Sequence, residues 1–518
     1  MSRRKQIAAG RGTPGATQAP HAAAPDSRAT RSPVFPSLAE ILEPRGPFLL
    51  PLVLLLAARA AFWAIIPYAT EDAYITFRYA RNLASGLGLA YNPGEHVMGF
   101  SSPLWVIWNA AGYALTRDPL LWSRASCLLA DLVTLILMGG LIKRSSSKAA
   151  AFCFTFFFAA WPYFSAISVS GMEMSALLAL MVLAAALVES DSPASGPALA
   201  ALALARPEGI AAAVVLGLGA RWRDRAIAAA LIAVGIGALG AYFGSVVPQS
   251  VIAKSRLYGT PGPWAGRHWW EWLSPFVLGR WPRPGETSHL EILTVVVAPS
   301  FVLGAAELWK RRAFGLARAI GAPLVVWLGY SLLGVAYFWW YLAVPLAGIV
   351  ALGSLGFPRL VHGRGLPIAC VLMVLGIWTI VPKLYTARGN EESLSFGRAA
   401  DVLFRNGRPG EKVMLEPIGI VGYLTPLIVI DEVGLVSPRV AARRLQGPGW
   451  YADVVASERP DWLVVRAGVL RTGEAFAGAG ALFRSSAERE SLFARYRVVD
   501  TGPPQFKDAT LSVLRRER

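Results

Sequence analysis

The stretch that decides the fold reads Thr70-Glu71-Asp72-Ala73-Tyr74-Ile75-Thr76-Phe77-Arg78-Tyr79-Ala80-Arg81. It follows an apolar run, 48–68, that is long enough to cross a bilayer as a helix. Two adjacent carboxylates, Glu71 and Asp72, therefore stand at a boundary between membrane and water. The spacing of the aromatic and basic side chains after them predicts a short interfacial helix over 74–84.

The composition of the whole chain is typical of a polytopic membrane protein. Of the 518 residues, 54% are hydrophobic and 16% are charged, and the mean hydropathy is +0.46. Soluble proteins carry about 25% charged residues. The apolar runs between 48 and 382 predict about eleven transmembrane helices, with a second interfacial helix at 103–115. The run 196–220 is interrupted by Arg206-Pro207-Glu208-Gly209, which predicts two short helices around a polar hinge.

The charge pattern sets an orientation. The net charge is +17 and the pI about 10.1, but the basic residues fall between apolar runs and form no recognition module, so no nucleic-acid partner is expected. With the amino terminus inside, four of five cytoplasmic loops are basic, as the positive-inside rule requires. These loops are 143–148, 190–195, 221–225, 309–318 and 357–365. The rule predicts an inner (plasma) membrane protein with 70–120, 247–289 and everything after 383 outside the cytoplasm.

The sequence divides into three predicted domains. Residues 1–45 are rich in Ala, Pro, Ser and Arg and predict a disordered basic cytoplasmic tail. Residues 46–383 form the transmembrane domain, and 384–518 predict an extracytoplasmic α/β domain. The transmembrane domain carries a first outer loop, 69–118, and a second, 247–289. The α/β domain is predicted from short β-like runs alternating with helical stretches; the runs are 412–415, 427–430 and 462–465.

Cysteine and histidine give no sign of a structural bridge or metal. The three cysteines, Cys127, Cys153 and Cys370, all lie in apolar runs and lack the spacing of metal ligands. The five histidines are scattered, without an H-x-x-x-H pair. We therefore expect neither a disulfide framework nor a site for a structural metal.

Glu71 and Asp72 support two compatible interpretations. Thr70 is a good helix N-cap, and carboxylates in a first turn suit the helix dipole. A carboxylate at a partly dehydrated boundary can also act as a general base toward a hydroxyl group. One of the two acids can serve the helix while its neighbour reacts.

Charged residues inside apolar runs form the second set of candidates. A charge at the bilayer centre costs about 2.5–3.5 kcal/mol on insertion scales, so each needs a partner or a wet cavity. Glu173, Arg206 and Glu208 are therefore either an internal ion-pair network or the lining of a polar cavity. Arg124 and Asp131 lie seven residues apart on one helix face, which favours a structural pair.

Cations and aromatic residues near the ends of apolar runs form the third set. Lys254 and Arg256 are either interface anchors or a clamp for a lipid phosphate. Arg78 and Arg81 share the short helix with the two acids and are further candidates for orienting a substrate or facing its phosphate. Four tryptophans of the second loop predict an aromatic belt, with sugar stacking as the alternative; they are Trp264, Trp269, Trp270 and Trp272.

The first-loop motif, 71–82 with Gly86, Gly88 and Tyr91-Asn92-Pro93-Gly94-Glu95, resembles the first outer loop of GT-C glycosyltransferases. These are polytopic enzymes that use polyprenyl-phosphate sugars as donors. Weaker motifs extend the resemblance, at 101–105, 170–173, 206–209, 244–254, 418–423 and 431–435. It is strongest to mycobacterial terminal arabinofuranosyltransferases, with protein O-mannosyltransferases and lipid A aminoarabinose transferases as distant kin. Relatives commonly carry Asp-Asp where this chain has Glu71-Asp72, and the oligosaccharyltransferase signature Trp-Trp-Asp-Tyr-Gly is absent.

The resemblance implies an inverting glycosyltransferase of cell-envelope biogenesis. It would move a sugar, arabinofuranose in that subgroup, from a polyprenyl-phosphate donor to a glycan, lipid or protein acceptor, in contact with membrane lipids. Asp72 would be the catalytic base and Glu71 a supporting group. The substrate or its phosphate would be met by Arg78, Arg81, Glu173, Arg206, Glu208, Lys254 and Arg256. No cofactor is required, although a divalent cation near the two acids is compatible with the resemblance.

Two other functions fit parts of the sequence. Broken apolar segments with buried charges also mark the sites of transporters, so a flippase of a polyprenyl-linked sugar is the alternative to an enzyme. The absence of paired halves and the size of the carboxy-terminal domain argue against it. A third hypothesis is a scaffold that only binds envelope glycans through that domain.

Overall fold

The computed structural model describes residues 35–66, 69–257, 290–333, 335, 338–378, 392–473, 481–503 and 510–517. The chain divides into two units, Met1–Pro33 and Val34–Arg518, and every described residue belongs to the second. The predictions for most of the basic tail, for the four tryptophans of the second loop and for the domain boundary near 383 lie outside the described residues.

The described residues between 38 and 378 are mostly helical, and proline stands at the start of several of the helices. Pro103, Pro119, Pro162 and Pro207 each stand in the first turn of a helix, where the missing N–H costs nothing. The helices are α1 Leu38–Ile41, α2 Leu49–Ile65, α3 Glu71–Ala84, α4 Pro103–Thr116, α5 Pro119–Ser145, α6 Lys148–Ala160, α7 Pro162–Val169, α8 Met174–Glu189, α9 Ser195–Ala205, α10 Pro207–Gly217, α11 Trp222–Phe243, α12 Gln249–Leu257, α13 Leu290–Arg311, α14 Phe314–Leu332, α15 Ala343–Leu360 and α16 Gly365–Trp378; a 3₁₀ turn, Trp339–Leu342, precedes α15.

The helical part has the character of a membrane protein. Among the described residues, four helices are long and apolar enough to cross a membrane, or five if α6 and α7, bent by 53°, form one broken span. Five shorter apolar helices accompany them. Only 6% of the apolar window of α11 is buried, so this helix presents an apolar surface. The count of eleven spans is not confirmed and stays a prediction. Pro162 and Arg206-Pro207 divide apolar runs into helices shorter than the about 20 residues that a membrane-spanning helix needs.

A buried ion pair joins α2 to α5. Arg59 of α2 donates its Nε–H to Asp131 Oδ2 of α5 at 2.9 Å, and the whole Arg59 side chain is inaccessible to solvent. The sequence predicted Arg124 as the partner of Asp131, but Arg124 donates to the carbonyl oxygens of Val169 and Ile66. Helical spacing shows which residues share a face, but it does not show which helix lies opposite that face.

The carboxy-terminal part is an α/β domain, as predicted. Its sheet has the order β2-β1-β3-β5-β4, in which β1 pairs in parallel with β2 and β3, and β5 pairs antiparallel with β3 and β4. The three predicted strands are confirmed as β1 Lys412–Leu415, β2 Ile428–Asp431 and β3 Trp462–Arg466, and the structure adds β4 Tyr496–Asp500 and β5 Leu511–Arg516. The helices are α17 Gly397–Asn406, α18 Ile418–Leu424, α19 Pro438–Arg444, α20 Trp450–Glu458, α21 Ala467–Thr472 and α22 Ser486–Phe493.

The two faces of this sheet bury different neighbours. Side chains alternate along a strand, so Val413 and Leu415 of β1 point to one face and Met414 to the other. The Val413 face shares a hydrophobic core with α17, α18 and residues of the first loop such as Tyr79. The Met414 face packs against α20 and its tryptophan, Trp450. One face of the domain is therefore joined to the segment that carries the two acids.

We predict that Glu432, which follows β2, makes this domain less stable as the pH rises. Burial, with repulsion from Glu416, raises the pKa of Glu432 from its ordinary 4.5 to about 8. The folded state then binds more protons than the unfolded state between these values, so the free energy of unfolding falls through that window. Thermal unfolding of the purified protein in detergent should show a lower midpoint at about pH 8 than at about pH 6.5, and Glu432→Gln should reduce this difference.

The comparison starts at about pH 6.5 because Asp431, whose pKa is raised to about 6 by burial, titrates below it. Asp401→Asn, which alters an exposed surface pair with Arg405 on α17, serves as the control and should follow the unsubstituted protein. An unchanged pH dependence in Glu432→Gln would contradict the assignment.

Candidate active site

The two acids of the first loop point in different directions from the start of α3. Thr70 has extended backbone and its N–H donates to the carbonyl of Ser170 at 2.9 Å, which fixes where the helix begins. Glu71 and Asp72 are its first two residues, and successive residues of a helix diverge by about 100° around its axis. Their carboxylates therefore meet different surroundings.

Glu71 joins the helix to the α/β domain. Its side chain is buried, and Oε1 accepts the backbone N–H of Gly419, in the first turn of α18, at 2.6 Å. A Cβ atom on residue 419 would overlap Glu71 Oε2 and the Glu71 carbonyl oxygen, so glycine is needed for this approach. The helix-terminus role predicted for one acid is thus filled by Glu71, but toward a helix of the other domain. Thr70, although at the N-cap position, makes no side-chain capping bond.

Asp72 faces a small cavity of about 40 Å³ between the first loop and the helices. About a third of its side chain is exposed, and Oδ2 lies 4.0 Å from the ammonium nitrogen of Lys254 on α12. Lys254 also lies over the ring of Phe338, 4.4 Å from the ring centroid. The residues around the cavity are Asp72, Ile75, Thr76, Gly99, Phe100, Ser101, Met172, Glu173, Arg206, Ser250, Lys254, Trp340, Tyr341 and Leu435.

Glu173, Arg206 and Glu208 form a buried ion-pair network at one wall of this cavity. Arg206, between α9 and α10, donates Nη1–H to Glu173 Oε1 and Nε–H to Glu208 Oε1, the latter at 2.5 Å. Its guanidinium carbon lies 5.3 Å from the ring centroid of Tyr341, and Glu208 also accepts the hydroxyl of Tyr330 at 2.6 Å. The members of this group pair internally, and Glu173 and Arg206 also line the cavity.

The other predicted cations do not line the cavity. The buried guanidinium of Arg78 donates to the carbonyls of Tyr91, Gly422 and Leu427, so it ties the first loop to the α/β domain. Arg81 donates to the carbonyl of Tyr423 at 2.6 Å and lies over its ring. Arg256 is exposed on α12. Arg78 and Arg81 lie on the same helix as the two acids, but their guanidinium groups bond carbonyls of the α/β domain.

Helical spacing could have found one cavity residue that the sequence reading missed. Ser250 precedes Lys254 by four residues, so the two share a face of α12. Trp340 and Tyr341 come from the 3₁₀ turn before α15, and no motif indicated that this turn returns to the first loop. Among the described residues, no three His, Cys, Asp or Glu side chains are grouped to hold a metal ion. A divalent cation near Glu71 and Asp72 stays a prediction.

We predict that Gly419→Ala separates α18 from α3 and loosens the α/β domain. The added Cβ overlaps Glu71, and relief requires the backbone to move. Limited proteolysis of the detergent-solubilised protein should cleave this domain faster and thermal unfolding should begin earlier. The matched control is Gly397→Ala at the start of α17, where a Cβ meets no atom within 4 Å. Equal behaviour of the two variants would contradict the docking role.

Comparison with known proteins gives the fold a precedent. Residues 384–513 match a family described as a domain of unknown function (DUF8728), and no curated protein matches the sequence. The structure is similar to ArnT from Cupriavidus metallidurans bound to undecaprenyl phosphate, with a TM-score of 0.56 and 14% identity over 90% of this chain and 97% of that one.

For the apo state of ArnT the TM-score is 0.52 and the sequence identity 12%, again over 90% of this chain and 97% of ArnT. For AftD from Mycobacteria, an arabinofuranosyltransferase, the TM-score is 0.47 and the sequence identity 15%, over 91% of this chain and 40% of AftD. The predicted resemblance to GT-C glycosyltransferases is confirmed at the level of the fold: this chain is a membrane protein with the GT-C architecture of ArnT.

Proposed function

We propose that this protein is a glycosyltransferase that moves a sugar from a polyprenyl phosphate to an acceptor hydroxyl group. The observation that carries the proposal is the placement of Asp72 and Lys254 on the same cavity, with 4.0 Å between Oδ2 and Nζ. A carboxylate and an ammonium group side by side supply a proton acceptor and a partner for phosphate. The similarity to ArnT, whose structure holds undecaprenyl phosphate, supports the donor class.

The reaction needs one proton acceptor and one stabilised leaving group. The acceptor oxygen attacks the anomeric carbon, its proton passes to Asp72, and the bond between that carbon and the phosphate oxygen breaks. The electron pair of this bond stays on the lipid phosphate, which leaves. Attack from the face opposite the phosphate inverts the anomeric configuration. A base and a cation held in place before the reaction lower the barrier because they need no reorganisation.

Lys254 is the cation that we assign to the phosphate. The guanidinium of Arg206 is already shared between Glu173 and Glu208, and drawing it away would leave buried carboxylates without their partner. Lys254 is about a quarter exposed and holds Asp72 only at 4.0 Å, so its long side chain can turn toward an incoming anion. Arg206 and its two acids then form the fixed wall against which the donor rests.

The identities that we propose for the sugar and the acceptor rest on the resemblance of the first loop to that of arabinofuranosyltransferases. We propose arabinofuranose as the transferred sugar and an envelope glycan as the acceptor, with the reaction on the outer face of the plasma membrane. Outside the cell no nucleotide sugar is supplied, so a lipid-borne donor accounts for a membrane enzyme with its acids at the end of an apolar helix. The α/β domain, joined to the first loop through Glu71 and Arg78, would hold the acceptor.

We predict that Asp72→Asn lowers sugar transfer by at least about 100-fold, since an amide cannot take the proton. The assay uses purified protein in lipid nanodiscs, a radiolabelled polyprenyl-phosphate arabinose and a glycan acceptor, and follows both the labelled product and free polyprenyl phosphate. Asp118→Asn is the matched control, because Asp118 caps α5 by accepting the N–H of Leu121 and asparagine caps equally well. Its activity should stay close to that of the unsubstituted protein.

Transfer by Asp72→Asn at the unsubstituted rate would remove Asp72 from the base role. Passage of the labelled lipid across a vesicle membrane without release of polyprenyl phosphate would favour the flippase alternative over the enzyme.

A further inference from the structure

We infer that Ser250 is the second half of the phosphate subsite and that its hydroxyl donates a hydrogen bond to a phosphate oxygen of the lipid donor. This inference rests on the proposed function and extends it to a residue that was not among the predicted phosphate contacts. Ser250 is 5% exposed and lines the same cavity as Asp72 and Lys254. Its Oγ is buried and has no hydrogen-bond partner among residues that the structure describes.

An unsatisfied hydroxyl in such a position is unusual. A buried polar group without a partner destabilises the folded state, so buried side-chain oxygens are nearly always bonded. The neighbouring Ser255 shows the ordinary arrangement on the same helix, since its Oγ donates to the carbonyl of Ile252 at 3.0 Å. Ser250 lines the cavity with its hydroxyl unbonded, so a group bound there could accept a hydrogen bond from it.

The position of Ser250 on α12 favours an anion as that group. The helix has nine residues, Gln249–Leu257, and Ser250 is its second, in the first turn, where the helix dipole favours negative charge. Lys254 stands one turn later on the same face. A hydroxyl, a helix start and an ammonium group together match a phosphate, whereas a neutral sugar hydroxyl would gain little from the ammonium.

The start of α12 is also held rigidly. The N–H of Gln249 donates to the carbonyl of Met98 in the first loop at 2.8 Å, and its side-chain Nε2 donates to the carbonyl of Gly434 in the α/β domain at 3.0 Å. Leu435, next to Gly434, lines the cavity as well. Ser250 is therefore fixed by contacts to both parts of the molecule, so its hydroxyl is ready for the phosphate before the donor binds.

The test measures binding to three probes by the full-length protein in detergent. The probes are undecaprenyl phosphate, undecaprenol, which has the same chain without phosphate, and inorganic phosphate. Ser250→Ala should weaken binding of undecaprenyl phosphate about tenfold, the usual effect of losing a hydrogen bond to a charged group. Binding of undecaprenol should be unchanged. Ser255→Ala is the matched control and should bind all three probes like the unsubstituted protein.

Three results would overturn the inference. Unchanged affinity of Ser250→Ala for undecaprenyl phosphate would remove the hydrogen bond. An equal loss for undecaprenol would mean that Ser250 only shapes the lipid site. A loss confined to inorganic phosphate would assign the subsite to free phosphate. If the unsubstituted protein fails to bind undecaprenyl phosphate, the proposed donor class itself is wrong, and that outcome is visible before any variant is compared.

Discussion

The hydrogen bond from the Gly419 backbone N–H to Glu71 is the contact on which the rest of the site depends. It joins the first residue of α3 to the first turn of α18, and glycine is required because a side chain at 419 would overlap Glu71. With Glu71 committed to the α/β domain, the next residue, Asp72, is turned toward the cavity. One contact therefore attaches the domain and gives the two adjacent acids different surroundings.

Arginine reinforces the same junction. Arg78 donates hydrogen bonds to carbonyl oxygens of the first loop and the α/β domain, and Arg81 donates one to the carbonyl oxygen of Tyr423. A planar guanidinium suits this task because its several N–H groups bind a set of backbone carbonyls at fixed angles. The first loop thus uses its arginines as structural links, and in the proposed function the charge offered to a substrate comes from Lys254.

The division of charge in the cavity follows from desolvation. Arg206 is buried, so it needs close carboxylate partners, and Glu173 and Glu208 supply them at the cost of its freedom to bind anything else. Lys254 is partly exposed and can keep a looser partner at 4.0 Å. Under the proposed function, this site combines a buried wall of paired charges with a partly exposed ammonium group, Lys254, that meets the phosphate of the donor.

The sequence alone determined the local features of this protein. Apolar runs, prolines and the change of composition near residue 384 predicted helices such as α5, the polar hinge at Arg206 and three strands of the sheet, because each depends on neighbours in the chain. The two acids were recognised from their motif. Only the tertiary structure decided which acid faces the cavity, that Asp131 pairs with Arg59, and that Arg78 is enclosed by the α/β domain. The physical reason is that a charge takes the partner that folding brings to it: Arg59 lies 72 residues from Asp131, and Arg78 bonds carbonyls 344 and 349 residues away.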